Sequence, residues 1–173
     1  AEATFVARTH DMDRKHMMAT LRRAREHRGA AFVEIFQNCN VFNDGAFEAI
    51  TGRANRDDML IPLVHGEPVR FGADREKGVV VDPQGRARIV RVDDVGEDAI
   101  LVHDEAREDP GLAFQLSRLA ASPHEPTPIG VFRAMTRPDY GSEIDRQLAA
   151  AQDKSGPGDL TALLQGLRAA ANP

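Results

Sequence analysis

"TFVARTHDMDRKHMMATLRRAREHRGAAFVEIF", Thr4 to Phe36, carries a strand-like, a helical and again a strand-like pattern in succession. Its first five residues are short, β-branched and aromatic, and read as a strand. Asp11 or Asp13 can then cap a helix running to about Arg28, with Met17, Leu21 and Ala24 on one face. Arg25, His27 and Arg28 crowd its last turn, where positive charge suits the helix dipole, and Gly29 can end it in the left-handed conformation. The run "AAFVEIF" (Ala30 to Phe36) follows at once. It is almost continuously apolar, the mark of a central strand of a parallel sheet covered on both faces. Strand, helix, strand in this order predicts a right-handed βαβ unit.

Cys39, the only cysteine in the chain, lies just beyond that second strand. A single thiol is in general a small buried hydrophobe. In an open parallel sheet, however, ligands bind in the crevice outside the carboxyl ends of the strands, and the predicted topology puts Cys39 at that edge. Both readings stand at this point.

Further along, "DGAFEAITG" (44–52) suits a short helix, and "LIPLVHGEPVRFG" (60–72) is punctuated by prolines and glycines into extended loop with short strand pieces. "KGVVVDPQGRARIVRV" (77–92) reads as a hairpin turning at Pro83 and Gly85, and "AILVH" (99–103) as another short strand. Asp109 and Pro110 fit the N-cap and first position of a helix burying Leu112, Leu116 and Leu119. "ASPHEPTPIGVF" (121–132), with three prolines, reads as a surface excursion. Ser142 is placed to cap an amphipathic helix through Ile144, Leu148 and Ala151, and Asp159 to cap a last one through Leu160, Leu163, Leu164 and Leu167.

Composition bounds what such a chain does. Hydrophobic residues at 42% and charged residues at 28% suit a globular domain rather than disorder. A net charge of −5 argues against a nucleic-acid partner, and the basic cluster "LRRAREHR" (21–28) fits the solvated face and C-terminal end of a helix. Trp is absent and Tyr occurs once, so no aromatic platform for single strands is offered. No apolar run approaches the roughly 20 residues of a membrane span. One cysteine rules out an internal disulfide framework, and the expected compartment is the reducing cytoplasm. The six histidines are scattered, and His10 and His16 are six apart, the wrong helical spacing for a shared metal. His103 stands beside the acidic run "HDEARED" (103–109), which reads as a solvated face. No glycine-rich phosphate loop, nucleophile elbow or C-x-x-C occurs.

In combination, "ATFVART…DRKHMMATLRRAREHRGAAFVEIFQNCNVFNDGAFEA" resembles the C-terminal half of the β subunit of 2-oxoacid:ferredoxin oxidoreductases. The later stretches "LVHGEPVRFG", "VHDEARED", "LAFQLSRL" and "TPIGVFR" are similar to the 2-oxoglutarate type found in actinobacteria. The resemblance implies an α/β fold: the C-terminal part of a thiamine diphosphate-binding parallel-sheet domain (residues 1–55) plus an irregular α+β extension (56–173) wrapping the domain or a partner subunit. It implies oxidative decarboxylation of a 2-oxoacid to an acyl-CoA, succinyl-CoA for 2-oxoglutarate, with electrons passed through a 4Fe–4S cluster to ferredoxin. Thiamine diphosphate and Mg²⁺ supply the carbanion chemistry. Cys39 matches the fourth, late cluster cysteine of the family, with Asn38 and Asn40 either tuning the cluster or simply forming the loop. The remaining cluster cysteines, and the diphosphate and Mg²⁺ motif, are not in this chain and are expected upstream of it, in an N-terminal half of the β subunit. Further expected partners are an α subunit carrying the pyrimidine and gamma domains, ferredoxin and coenzyme A, with no nucleic acid and no membrane. Alone, the chain is expected to be inactive, since it lacks the C-x-x-C cysteines and the motif that binds diphosphate and Mg²⁺. The alternatives are a subunit acting on pyruvate or another 2-oxoacid, and a non-catalytic α/β assembly module in which Cys39 is only a buried thiol.

Overall fold

The computed structural model describes residues 3–120 and 124–170. Contacts divide the chain into a unit spanning Ala1–Arg137 and a second spanning Pro138–Pro173.

The first unit begins as the opening stretch predicts. β1 (Phe5–His10) leads into helix α1 (Arg14–Glu26) and then β2 (Ala31–Phe36), and the two strands pair in parallel, Phe5 opposite Ala31 through His10 opposite Phe36. Asp13 is the N-cap, and its side chain accepts from the His16 N–H at 2.9 Å. Alternation along β1 sends Phe5, Ala7 and Thr9 toward α1, where Phe5 and Ala7 form a small core with Val131, Val33 and Ala24. The helix face under the sheet is partly polar: its buried residue is Thr20, and Leu21 remains exposed. His16 on the helix and His27 just beyond it bond Thr9 at 2.7 Å and Thr4 at 2.8 Å.

β2 departs from expectation. It is the edge strand of a four-stranded sheet ordered β2-β1-β7-β3, and its Phe32 and Ile35 are 58% and 39% exposed. Val33 of this strand packs within the chain, while Phe32 and Ile35 are left exposed by the described residues. The neighbours of β1 on the other side come from late in the sequence. Short helices α2 (Glu48–Thr51) and α3 (Arg56–Met59) precede β3 (Leu60–Leu63), which pairs in parallel with β7 (Thr127–Ala134). β7 in turn runs antiparallel to β1, so the α/β class holds while the sheet is mixed rather than purely parallel.

β7 is the correction of the reading of residues 121–132 as a surface excursion. Residues 121–123 lie outside the described residues, but Thr127–Arg133 are all buried between β1 and β3. The register against β1 shifts between Val6 and Ala7, opposite Phe132, and Pro128 lies beyond the last pair with β1, Arg8 with Gly130. Gly130 sits there at φ +116°, where an added Cβ would lie 2.6 Å from the Leu63 carbonyl oxygen. Arg133 is buried and donates to the carbonyls of Ala3 (3.1 Å) and Glu108 (2.8 Å), tying β7 to distant chain. The sheet thus draws on segments from both sides of residue 55.

On the face opposite α1, a second, three-stranded sheet of β4 (Arg70–Phe71), β5 (Lys77–Val81) and β6 (Ala87–Arg91) covers the first. The larger core lies between them: Ile61, Leu63, Val69, Phe71, Val79, Leu116 and Phe132. The predicted hairpin is β5–β6, turning at Gly85 (φ +78°). The Arg86 N–H, the Arg88 guanidinium and the Gln84 N–H hold the Asp82 carboxyl down to about 2. After helix α4 (Val92–Val95) and a 3₁₀ turn (Glu97–Ala99), the segment expected as a strand at 99–103 is extended but forms one bridge, Val102 to Pro68. Helix α5 (Gly111–Ser117) follows, capped at Pro110 rather than Asp109, whose carboxylate accepts from Gly111 N–H at 2.8 Å.

The second unit holds helices α6 (Tyr140–Ser155) and α7 (Leu160–Ala170). Asp139, not Ser142, caps α6, accepting from the Ser142 N–H (2.9 Å) and hydroxyl (2.6 Å); Asp159 caps α7 as read. No residue of α6 is buried, and Leu160, Leu163 and Leu164 of α7 are exposed. Among the described residues, no helix is long and apolar enough to cross a membrane.

Candidate functional site

The residues after β2 form a tight loop built around Asn38. Its backbone N–H donates to the Asp11 carboxylate at 2.9 Å, pinning the loop to the end of β1. Its side-chain oxygen accepts from Gly45 N–H at 2.8 Å, and its amide donates to Asp44 at 2.9 Å and Asn40 at 3.1 Å. Asn38 therefore closes the loop through its side chain. Cys39 and Asn43 make an antiparallel bridge, with Asn43 N–H donating to the Cys39 carbonyl at 2.9 Å. Phe36 and Phe47, stacked at 4.6 Å between ring centroids, brace the base of the loop, and the Arg8 guanidinium lies 5.3 Å over Phe36.

Cys39 stands half-buried at the turn of this loop, at the carboxyl edge of the parallel pair, where the sequence puts it. The backbone N–H groups of Phe42 and Val41, with a smaller contribution from Asn43, hold the thiol below its ordinary range; partial burial opposes them. The loop is thus shaped to favour a thiolate. Val41 and Phe42, at 80% and 91% exposed, project from it into solvent. Among the described residues there is no cluster of three or more His, Cys, Asp or Glu able to hold a metal.

Beside the loop, a cleft of about 970 Å³ opens at the carboxyl ends of β1 and β2. Asn38 and Asp44 bring the Cys39 loop to its wall, and His10, the last residue of β1, supplies part of its inner surface. His10 is 4% exposed, its Nδ1 has no hydrogen-bond partner, and burial pushes its pKa down. Arg14 at the start of α1, Arg53 after α2 and Arg75 before β5 contribute guanidiniums to the same cleft. Sequence reasoning missed these residues. The one available signal was that His10 ends a strand of a βαβ unit; the arginines come from three separate segments that only the fold brings together.

The other histidines divide as the scattered spacing suggests. His103 is buried, bonds the Val131 carbonyl oxygen through Nε2 at 2.7 Å and is lowered by burial, a core histidine rather than the partner of the acidic run beside it. His65 lies 3.6 Å from Asp104 at the surface.

No protein-family model matches the chain. It is 43% identical over 167 residues to the 2-oxoglutarate oxidoreductase subunit KorB of Mycobacterium tuberculosis, an alignment covering 96% of this chain and 44% of that protein. The chain therefore spans less than half the length of the curated relative it matches. A solved structure of 2-oxoglutarate:ferredoxin oxidoreductase from Magnetococcus marinus, with 2-oxoglutarate, coenzyme A and succinyl-CoA bound, superposes with a TM-score of 0.52 at 22% identity, over 98% of this chain and 41% of that one. At that identity the likeness is one of fold. The resemblance read from the opening strand, the Cys39 loop and the later motifs is upheld: the chain is similar to part of a 2-oxoglutarate oxidoreductase subunit over nearly all of its own residues.

Proposed function

We propose that this chain works as the C-terminal part of the β subunit of a cytoplasmic 2-oxoglutarate:ferredoxin oxidoreductase, which oxidatively decarboxylates the 2-oxoacid to succinyl-CoA. The single observation that carries the reading is 43% identity to a 2-oxoglutarate oxidoreductase subunit across 96% of the chain. Within that enzyme we assign Cys39 as the fourth thiolate of a 4Fe–4S cluster whose other cysteines lie outside this chain. The thiol suits the assignment: a cysteine at the sheet edge, held below its ordinary range by backbone N–H groups, favours the thiolate form that ligates iron, and hydrogen bonds near sulfur offset its negative charge. When bound, the cluster supplies a one-electron acceptor on the way to ferredoxin. Residues of this chain hold the sulfur and its hydrogen-bond donors in place, through Asn38 and the bridge to Asn43. Thiamine diphosphate and Mg²⁺ would be held mainly by residues beyond this chain.

The extension 56–173 is proposed to contact the rest of the β subunit or the α subunit. Its exposed leucines on α6 and α7, Leu148, Leu160, Leu163 and Leu164, support that role. The exposed Phe32 and Ile35 of β2, with Val41 and Phe42, are proposed to meet the N-terminal half of the subunit.

The test is ferredoxin reduction by the complete enzyme with coenzyme A and either 2-oxoglutarate or pyruvate. The reading expects kcat/KM for 2-oxoglutarate to exceed that for pyruvate at least tenfold. The reverse preference would move the assignment to a pyruvate enzyme, and no coenzyme A-dependent reduction with either substrate would leave the assembly-module alternative.

A further inference from the structure

We propose that Arg8, Phe36 and Phe47 form a clasp that fixes the Cys39 loop, with Arg8 as the positioning residue that anchors the loop to the core between the sheets. The inference rests on the proposed function only in calling Cys39 an iron ligand.

The loop runs from 37 to 46, and it is flanked by Phe36, the last residue of β2, and Phe47, the residue before α2. Their rings lie parallel, with 4.6 Å between centroids and 1° between planes, so side chains close the loop at its base. Backbone carries the position of Phe36 onward. Its carbonyl accepts from the Asp11 N–H at 3.0 Å, and the Asp11 carboxylate accepts from the Asn38 N–H at 2.9 Å, one residue before Cys39.

Arg8 holds the stack from below. Alternation along β1 turns it to the face opposite α1, directly across the parallel pair from Glu34. Its Nε donates to the Glu34 carboxylate at 2.6 Å. The guanidinium carbon stands 5.3 Å from the centroid of the Phe36 ring and 5.2 Å from that of Phe132, a member of the larger core. Nη1 donates to the Pro128 carbonyl at 3.3 Å, and Nη2 lies 3.5 Å from that of Ser117. One side chain, 12% exposed, thus joins β2, β7 and the end of α5 to the aromatic base of the loop. The planar fork is what the place requires. A lysine could keep the ion pair, but its point charge cannot lie along two rings and reach two carbonyls at once.

The test is hydrogen exchange of the segment 37–47, followed by mass spectrometry in the complete enzyme stripped of iron. The proposal expects exchange there to be about threefold faster or more in Arg8→Lys and in Phe47→Leu. Phe47→Tyr, which keeps the stacked ring, should exchange as the native enzyme does, and the hairpin 77–91 should be unchanged in all three. Should Arg8→Lys fail to assemble, Glu34→Ala, at a side chain 44% exposed, takes its place and should also speed the loop. Native exchange of the loop in Phe47→Leu or in the Arg8-side variant would overturn the clasp, and so would equal acceleration of the hairpin. In the iron-loaded enzyme, Phe47→Leu should release iron to a chelator about threefold faster or more. Native iron release from a loosened loop would leave the clasp standing and count against Cys39 as a ligand, so the two failures are distinguishable.

Discussion

The sulfur of Cys39 takes its character from backbone geometry rather than from a neighbouring cation. Phe42 and Val41 N–H groups do most of the lowering, and they are aimed by a loop that Asn38 closes through Asp44 and Gly45. Replacing Asn38 with Ala should loosen those donors. In the cluster-free subunit the pH midpoint of Cys39 alkylation should then rise toward the ordinary thiol value of about 8.5. An unchanged midpoint would show that the amides do not set it. The histidines give a second prediction at this scale. Burial is the largest cause lowering His10, His16 and His103. Unfolded histidines titrate near 6.5, so below that pH the unfolded chain binds more protons than the folded one. Stability is then fully present above about pH 6.5 and is lost as pH falls through the depressed folded values. Urea midpoints of the subunit at pH 7.5 and 5.5 should differ in that direction, and His103→Gln should flatten the difference. The thiol was legible in the sequence because a lone cysteine after a strand is conspicuous. The unpaired Nδ1 of His10 was not, because burial and missing partners are properties of the assembled cleft.

At the scale of elements, β1, α1 and β2 were readable because period-two, helical and continuous apolar patterns follow one another with Asp13 at the junction. β7 was not. Its prolines and glycine describe a loop locally, and its burial is imposed by β1 and β3, which lie more than a hundred and about seventy residues away in sequence. Gly130 is the residue that makes this possible. Gly130→Ala would combine positive φ with a Cβ 2.6 Å from the Leu63 oxygen, and should destabilise the first unit by about 2–3 kcal/mol in urea unfolding. A loss under about 0.5 kcal/mol would mean that the irregularity relaxes freely. The caps show the same division. Asp159 was readable and Asp13 was one of two candidates with Asp11, whereas at α6 Asp139 takes the place expected for Ser142, since both residues can cap and only the backbone turn chooses.

For the whole molecule, the distribution of exposed apolar groups matters more than the net charge of −5. Phe32 and Ile35 lie on an edge strand with unpaired backbone groups, the arrangement that invites another chain. Residues 1–173 expressed alone should therefore aggregate or fold partly, and should gain order when the remainder of the β subunit is supplied. A monodisperse, cooperatively melting monomer would contradict this. Removing residues 159–173 should weaken co-purification of the α subunit while leaving the βαβ unit folded, and unchanged co-purification would remove α7 from the interface. The central claim is that Cys39 completes an iron–sulfur cluster, and the most direct measurement is iron content with the low-temperature EPR spectrum of the reduced complete enzyme, native and Cys39→Ser. The account predicts four irons at this site in the native enzyme, and in the variant a lost or altered cluster signal, ferredoxin reduction down at least tenfold, and thiamine diphosphate binding retained. A variant with full iron, an unchanged spectrum and normal ferredoxin reduction would contradict it.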